Sequence, residues 1–266
     1  MGTTRKKHTS RTFQGVIAIA SHERQKLIQK NTLAFLHKHR IPMKQVYVFC
    51  SPKSFFSYQT IADEWGFHLI KSKNSIMATR NHIIEYFPNG KPILEMDDDI
   101  RDIVITKPPA KRKSLPSLST FLTSSFRLLK QKKGLWGVNA TDNNREESVS
   151  GKDQFGAYAI INSFCGYFND KRIRLTVPEK EDFDRTAQFL SLGLPVLKRG
   201  GYGIRTNYWK NPGGIQAHYG FQKRLEVQSK SADLLMKKFP DKFRKQTRKN
   251  GIVDIRFIRS RKPLSK

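Results

Sequence analysis

The sequence has few cysteines and no long apolar run. Its two cysteines, Cys50 and Cys165, cannot form a CxxC-type metal knuckle, and so little cysteine indicates a reducing compartment. The longest apolar runs, such as 15–20 and 46–50, are far too short to cross a bilayer. No apolar segment of a signal peptide follows the basic first residues. We therefore expect an intracellular protein, cytoplasmic or nuclear, with no membrane span.

Acidic residues are scarce beside basic ones. The 266 residues include 22 Asp and Glu against 50 Lys and Arg, which gives a formal net charge of +28. A positive field of this size favours a polyanionic partner, with nucleic acid ahead of an acidic membrane surface. The basic residues are densest at 237–266, where twelve Lys and Arg face two Asp. A solubilising tail is the alternative interpretation.

Three acids in a row stand out from this basic background. A short apolar run that contains Glu95 leads into Asp97, Asp98 and Asp99. Along a strand, side chains alternate between faces, so Asp97 and Asp99 share a face with Glu95 and Asp98 points the other way. Adjacent carboxylates repel each other, and a divalent cation offsets that repulsion. The triplet therefore predicts a cation site at Asp97 and Asp99, with a solvated turn as the alternative.

Predicted strands and helices alternate through the first part of the chain. Strands are predicted at 13–20, 46–50, 68–71 and 93–96, and helices from residue 21 or 22 onward, at 55–65 and at 76–87. This alternation predicts right-handed crossovers and a parallel, Rossmann-type sheet, and hence an α/β fold. Ligands bind such sheets beyond the carboxyl ends of the strands. The polar residues expected there are Ser21, Ser51, Ser72 and the aspartate triplet.

The second half of the chain is less regular. A basic, proline-rich connector at 106–116 precedes a helix at 117–132, and 141–152 is a polar loop. Further strands are predicted at 134–140, 155–161, 165–168, 196–198 and 203–205, and further helices at 179–192 and 223–239. We expect a flexible basic N-terminus (1–12), one domain (13–222), and a basic C-terminal helix and tail (223–266).

A parallel first half, an Asp-x-Asp sequence ending its fourth strand and a mixed second half together resemble the GT-A glycosyltransferases. In that family the Asp-x-Asp holds Mn²⁺ or Mg²⁺ on the diphosphate of a sugar nucleotide. The resemblance gives this role to Asp97 and Asp99, with Asp98 between them at the nucleotide. Oxygen ligands suit these hard cations. The resemblance also divides the domain into a nucleotide-binding half, 13–105, and an acceptor-binding half, 117–222.

Two other segments of the first half resemble nucleotide-contacting segments of the family. Ser-His-Glu-Arg at 21–24 is similar to its first nucleotide-contacting loop, which implies contacts from Ser21 and Arg24. Ala-Thr-Arg-Asn at 78–81 resembles an Ala-Arg-Asn segment that lies against the nucleotide, which implies contacts from Arg80 and Asn81. The Arg80 guanidinium would offer a fork of donors to phosphate. The alternatives are an arginine on the helix surface and an asparagine that caps locally.

An acidic pair in the second half, Glu181-Asp182, opens a predicted helix and looks like the pair that meets the acceptor in these enzymes. The resemblance makes Asp182 the general base of an inverting transfer, with Glu181 as the second choice. The alternative is structural, because the helix dipole favours acids in a first turn. The resemblance also makes His218 the third metal ligand, with a structural histidine as the alternative.

A glycine-rich segment indicates a narrower group within this family. Lys-Asn-Pro-Gly-Gly-Ile-Gln at 210–216, the Glu-Asp-x-Asp-Arg sequence at 181–185 and the basic charge are similar to the glucosyltransferases associated with TET/JBP-type oxygenases, which include the base J glucosyltransferase. This implies transfer of a sugar, with glucose from UDP-glucose as the family default, to a hydroxymethylated pyrimidine in DNA. A separate enzyme would oxidise or hydroxymethylate the base. The implied substrate-binding residues are Arg205, Lys210, Gly213, Gly214 and Gln216.

Two other functions are consistent with a basic protein that carries clustered carboxylates. A metal-dependent nuclease would use two cations to cut a phosphodiester, but the sequence shows no second acidic cluster with nuclease spacing. A non-enzymatic nucleic-acid-binding protein would explain the charge and leave Asp97–Asp99 unexplained.

Overall fold

One mixed sheet forms the centre of the structure, a computed structural model that describes residues 13–106, 112–142, 151–207, 221–247 and 253–258. Within these residues the sheet has ten strands. They are β1 Val16–Ser21, β2 Val46–Cys50, β3 His68–Lys71, β4 Pro92–Asp97, β5 Asp102–Ile105, β6 Lys113–Ser114, β7 Leu135–Asn139, β8 Gln154–Phe155, β9 Phe164–Phe168 and β10 Val196–Arg205. Their order across the sheet is β3-β2-β1-β4-β9-β7-β10-β5-β6, and β8 pairs with β10.

Helices cover both faces of this sheet. They are α1 Gln25–Ile28, α2 Ala34–Lys38, α3 Phe55–Trp65, α4 Ile76–Tyr86, α5 Leu118–Leu129, α6 Glu181–Ser191 and α7 Phe221–Lys238, and a π-helical turn, Gln29–Leu33, joins α1 to α2. Buried apolar side chains of α2, α3 and α5 pack on one face, and those of α4 and α6 pack on the other. The apolar stripes of the helices and the apolar strands thus bury each other. The predicted α/β fold class is confirmed.

The first half of the chain folds as its sequence predicts. β1, β2, β3 and β4 lie parallel, with β1 between β2 and β4. Every residue of β1 is buried, which explains its continuous apolar run, because a parallel strand covered on both faces needs no polar side. In register, Ser21 lies beside Cys50, Cys50 beside Lys71, and Ala20 beside Asp97. The ends of these strands therefore meet at one edge of the sheet, as predicted.

The chain beyond β4 departs from its predicted elements in three places. The strand predicted at 155–161 is only Gln154–Phe155, and β5 and β6 were not predicted. The strands predicted at 196–198 and 203–205 are a single strand, β10, whose register shifts between Lys198 and Gly203. Gly200 and Gly201 make that irregularity possible. A Cβ at Gly200 would lie 2.0 Å from the Lys152 carbonyl oxygen, and Gly201 has a φ of 73°.

The C-terminal part contains more structure than the predicted helix and tail. Helix α7 is confirmed, and it is followed by an antiparallel hairpin of β11 Phe243–Thr247 and β12 Val253–Phe257. Helix and hairpin form a third apolar cluster with residues of α6. No helix within the described residues is long and apolar enough to span a membrane. The predicted N-terminus (1–12) and most of the polar loop (143–150) lie outside the described residues.

Candidate active site

The three aspartates occupy different positions where β4 ends. The strand stops at Asp97, and Asp98 and Asp99 form the turn that follows. The side chains of Asp97 and Asp99 are 31% and 15% exposed, whereas that of Asp98 is 4% exposed. Glu95 and Asp97 contact the same guanidinium, that of Arg80, as the predicted alternation requires, whereas Asp99 lies 4.0 Å from Arg24, the partner of Asp98. Asp98 lies in the turn after β4, so its inward direction results from its hydrogen bonds with Ser21 and Arg24 and not from strand alternation.

Ser21 and Arg24, the predicted nucleotide-contacting residues after β1, hold the inward aspartate. The Ser21 hydroxyl donates to Asp98 Oδ2 at 2.6 Å, and Arg24 Nη1 donates to Asp98 Oδ1 at 2.9 Å. Tyr58 supports both residues, since its hydroxyl lies 2.6 Å from Ser21 Oγ and accepts from the Arg24 backbone N–H at 3.1 Å. Burial raises the pKa of Asp98 to about 6, although Arg24 and Ser21 oppose the shift. Nucleotide contact by Ser21 and Arg24 stays a prediction.

Arg80 is the most densely engaged side chain of the site. Its guanidinium contacts Glu95, Asp97 at 2.9 Å and Glu181 at 3.4 Å, and its side chain is 4% exposed. The alternative of an arginine on the helix surface is therefore wrong. One fork of donors joins the exposed aspartate of β4 to the first residue of α6. The structure thus brings Arg80, Asp97 and Glu181 together. Contact of Arg80 with a nucleotide stays a prediction.

Glu95, two residues before Asp97, lies beneath the site and is completely buried. Arg185 Nη2 approaches it at 3.0 Å, the Tyr167 hydroxyl donates to it at 2.7 Å, and Arg80 contacts it from the other side. Burial pushes the pKa of Glu95 upward, but the charges of Arg185 and Arg80 outweigh burial and leave the pKa below its ordinary value. Sequence reasoning missed this role. The signal was a lone acid in a buried apolar strand, which requires cationic partners.

The acidic pair at the start of α6 is partly buried. Burial raises the pKa of Glu181 to about 7, with Arg80 opposing the shift and Asp182 adding to it. Burial also raises the pKa of Asp182, and Oδ1 of that carboxylate accepts from the Phe183 backbone N–H at 2.9 Å. Lys180, the residue before the helix, has a left-handed φ of 60° and no side-chain cap. Glu181 therefore contacts the Arg80 fork, and Asp182 follows it along the helix.

Other predicted site residues are placed elsewhere. The side-chain amide of Asn81 exchanges hydrogen bonds with the backbone of Leu175, at 2.9 and 2.8 Å, so its amide joins α4 to the segment before α6. Arg205 pairs with Asp142 at 3.0 Å. The remaining predicted residues, Lys210, Gly213, Gly214, Gln216 and His218, lie outside the described residues.

The chemistry of the site fits a hard divalent cation. Its carboxylates are Glu95, Asp97, Asp98, Asp99, Glu181 and Asp182, and the guanidiniums in contact with them are those of Arg24, Arg80 and Arg185. This excess of negative charge is the condition that a dication offsets, and Asp97 and Asp99 present oxygen donors. Within the described ranges, no three His, Cys, Asp or Glu side chains form a complete ligand set. A bound cation would need further oxygens from its substrate or ligands from other parts of the chain.

Comparison with known proteins supports the fold. No protein-family model matches the chain, and no curated protein matches its sequence. GalNAc-T7 with UDP, GalNAc and Mn²⁺ matches with a TM-score of 0.51 and 9% identity, over 86% of this chain and 50% of that one. TarS of S. aureus matches with a TM-score of 0.49 and 13% identity, over 83% of this chain and 39% of TarS. Glucosyl-3-phosphoglycerate synthase of M. tuberculosis matches with a TM-score of 0.49 and 9% identity, over 88% and 85%.

These similarities show the GT-A fold, through the GalNAc-T7 match, and confirm the fold that the sequence resemblance implied. The chain spans about half the length of GalNAc-T7 and 39% of TarS. The identities are too low to transfer an activity. The narrower resemblance to the base J type stays a prediction.

Replacing Glu95 tests the buried network. We expect Glu95→Gln to lower the free energy of unfolding by about 3–5 kcal/mol, because it leaves Arg80 and Arg185 buried without their shared carboxylate. Urea unfolding followed by circular dichroism measures the loss. The matched control is Glu85→Gln, which removes an exposed ion pair with Arg174 and should change stability little. Equal effects of the two substitutions would contradict a stabilising role for Glu95.

The raised pKa of Glu181 predicts a pH dependence of stability. A carboxyl whose pKa rises from 4.5 in the unfolded chain to about 7 in the folded chain favours folding in its protonated form, so this contribution is lost as pH rises from 4.5 through 7. Glu181→Gln stays neutral and should lose less stability than wild type between pH 5 and 8. Urea midpoints in EDTA across this range measure the difference. Parallel pH profiles would contradict the assignment.

Proposed function

We propose that the protein is a metal-dependent glycosyltransferase whose donor is a nucleoside diphosphate sugar. The observation that carries this proposal is the pair Asp97 and Asp99, partly exposed at the carboxyl edge of parallel strands in a GT-A fold. Mn²⁺ or Mg²⁺ held there would neutralise the charge that develops on the leaving diphosphate. Arg80 binds Asp97, and Ser21 and Arg24 bind Asp98, the residue between the two proposed ligands.

The acidic pair on α6 supplies the base in this proposal. The Glu181 carboxylate is engaged by the Arg80 fork, whereas Asp182 has no ion-pair partner within the described residues. Asp182 therefore has the carboxylate better able to accept the proton of an attacking hydroxyl. Glu181 is assigned a positioning role, because it contacts Arg80 and directly precedes Asp182. This assignment describes an inverting transfer.

The proposed acceptor is a hydroxymethylated pyrimidine in DNA, and the proposed donor is UDP-glucose. The net charge of +28 supports a polyanionic acceptor. The sequence resemblance at 210–216 supports the narrower choice, in which a separate enzyme first modifies the base. A nuclease is less well supported, because the fold is the GT-A fold. Simple nucleic-acid binding explains the charge and leaves Asp97–Asp99 unexplained.

A direct assay tests the acceptor. Incubation of DNA containing hydroxymethylcytosine or hydroxymethyluracil with UDP- and GDP-sugars and Mn²⁺ should yield a glycosylated nucleoside by mass spectrometry. Unmodified DNA should yield none, because it lacks the attacking hydroxyl. Donor hydrolysis without any DNA product would support the glycosyltransferase activity but exclude DNA as the acceptor. Strand cutting would reject the proposed function in favour of a nuclease.

Removing one proposed cation ligand tests the metal site. Asp99→Asn should reduce transfer or donor hydrolysis by about 100-fold or more, because charge on the leaving diphosphate is then less well stabilised. Its melting temperature should not fall, since the substitution removes one of several neighbouring like charges. The matched control is Asp63→Asn on the exposed surface of α3, where the carboxylate accepts from Gln59. Full activity in the Asp99 variant would overturn the metal assignment.

A further inference from the structure

The C-terminal hairpin carries an electrostatic cost that the rest of the described protein does not offset. Arg244 and Arg256 lie directly opposite each other on β11 and β12, and both are exposed. Like charges at opposed positions of an antiparallel pair destabilise it. Neither arginine has an ion-pair partner within the described residues. The nearby cations differ in this respect, since Lys245 pairs with Asp233 at 3.1 Å and Lys242 with Asp241 at 3.0 Å.

The other face of the hairpin fixes its position on the domain. Phe243 and Phe257 are also opposed partners, and both are buried. Their rings lie 6.1 and 5.8 Å from the ring of Phe183 on α6. Because side chains alternate along each strand, this packing directs Arg244 and Arg256 away from the core. The hairpin is therefore an anchored support that presents two guanidiniums outward.

The anchor lies next to the proposed acceptor site. Phe183 follows directly after the Glu181-Asp182 pair. Lys180, which precedes that pair, binds Asp254 of β12 at 2.9 Å, and both side chains are largely buried. The hairpin thus contacts the first turn of α6 from both sides of its acidic pair. The two arginines lie on the hairpin face turned away from Phe183, so a strand bound to them would run along the outer side of the hairpin that packs on α6.

We propose that the β11–β12 hairpin binds the phosphate backbone of a nucleic acid and so tethers the acceptor to the domain, an inference that rests on the proposed function. Guanidinium forks match phosphate geometry, and backbone contacts fix position without reading sequence. An acidic membrane fits less well. The exposed residues of the two strands are Arg244, Lys245, Thr247 and Arg256, and among the described hairpin residues only Ile258, directly after β12, offers a large apolar surface to lipid.

The test measures binding of a fluorescein-labelled 20-base-pair duplex by anisotropy between 50 and 200 mM salt, without sugar nucleotide. The double substitution Arg244→Gln with Arg256→Gln should weaken binding and reduce the slope of log affinity against log salt by about 2. The matched control is Arg127→Gln with Lys130→Gln. Both control residues are exposed at the end of α5, which packs on the sheet face opposite to α6. Their substitution removes the same charge as the hairpin substitutions do. The control slope should stay at the wild-type value.

Three results would overturn the proposal. They are an unchanged slope in the hairpin variant, an equal reduction in the control, and a variant that loses binding to phosphatidylserine vesicles but retains binding to DNA. The melting temperature of the hairpin variant should stay constant or rise, because a repulsive pair is removed. The measurement does not involve sugar transfer. The hairpin can thus bind DNA even if the donor assay fails, and transfer can occur even if this binding test fails.

Discussion

The contacts of one buried guanidinium determine how this site is built. Arg80 comes from α4, and it contacts Glu95 and Asp97 of β4 and Glu181 of α6. A buried charge is tolerated only when it has partners of opposite charge. Removing one partner leaves the remaining charge buried and uncompensated, which destabilises the fold. The network therefore specifies a single arrangement of strand and helices. It also links the two halves of the proposed reaction, because one side chain orients both the candidate metal ligand and the acidic pair.

Helix α6 is the element through which the other parts of the site meet. Its first turn carries the acidic pair, and Arg185 one turn later enters the core to reach Glu95. Helix α7 and the hairpin pack on the outer surface of α6. In the proposed function the sheet edge would bind the donor, and the exposed arginines of the hairpin would bind an anionic acceptor.

Sequence reasoning succeeded where structure is local and failed where it depends on distant partners. β2, β3 and α3 have the predicted bounds because each is an apolar or amphipathic run between clear breaks. The role of Glu95 was missed because its cations lie 15 and 90 residues away in sequence. β10 was divided in two because its glycines resemble a loop, although the strand continues through a bulge. The alternation in Val-Asp-Ile-Arg-Phe at 253–257 is a strand signal, but β11 lacks it because Lys245 and Thr247 share a strand face with the buried Phe243.

The central claim is that Asp97 and Asp99 hold a divalent cation that binds a nucleoside diphosphate. Isothermal titration of UDP and GDP into the protein, with Mn²⁺ and with EDTA, measures this most directly. Binding of at least one nucleotide in Mn²⁺, and its loss in EDTA, is the expected result. Absence of binding to either nucleotide in Mn²⁺, or equal binding in EDTA, would contradict the claim.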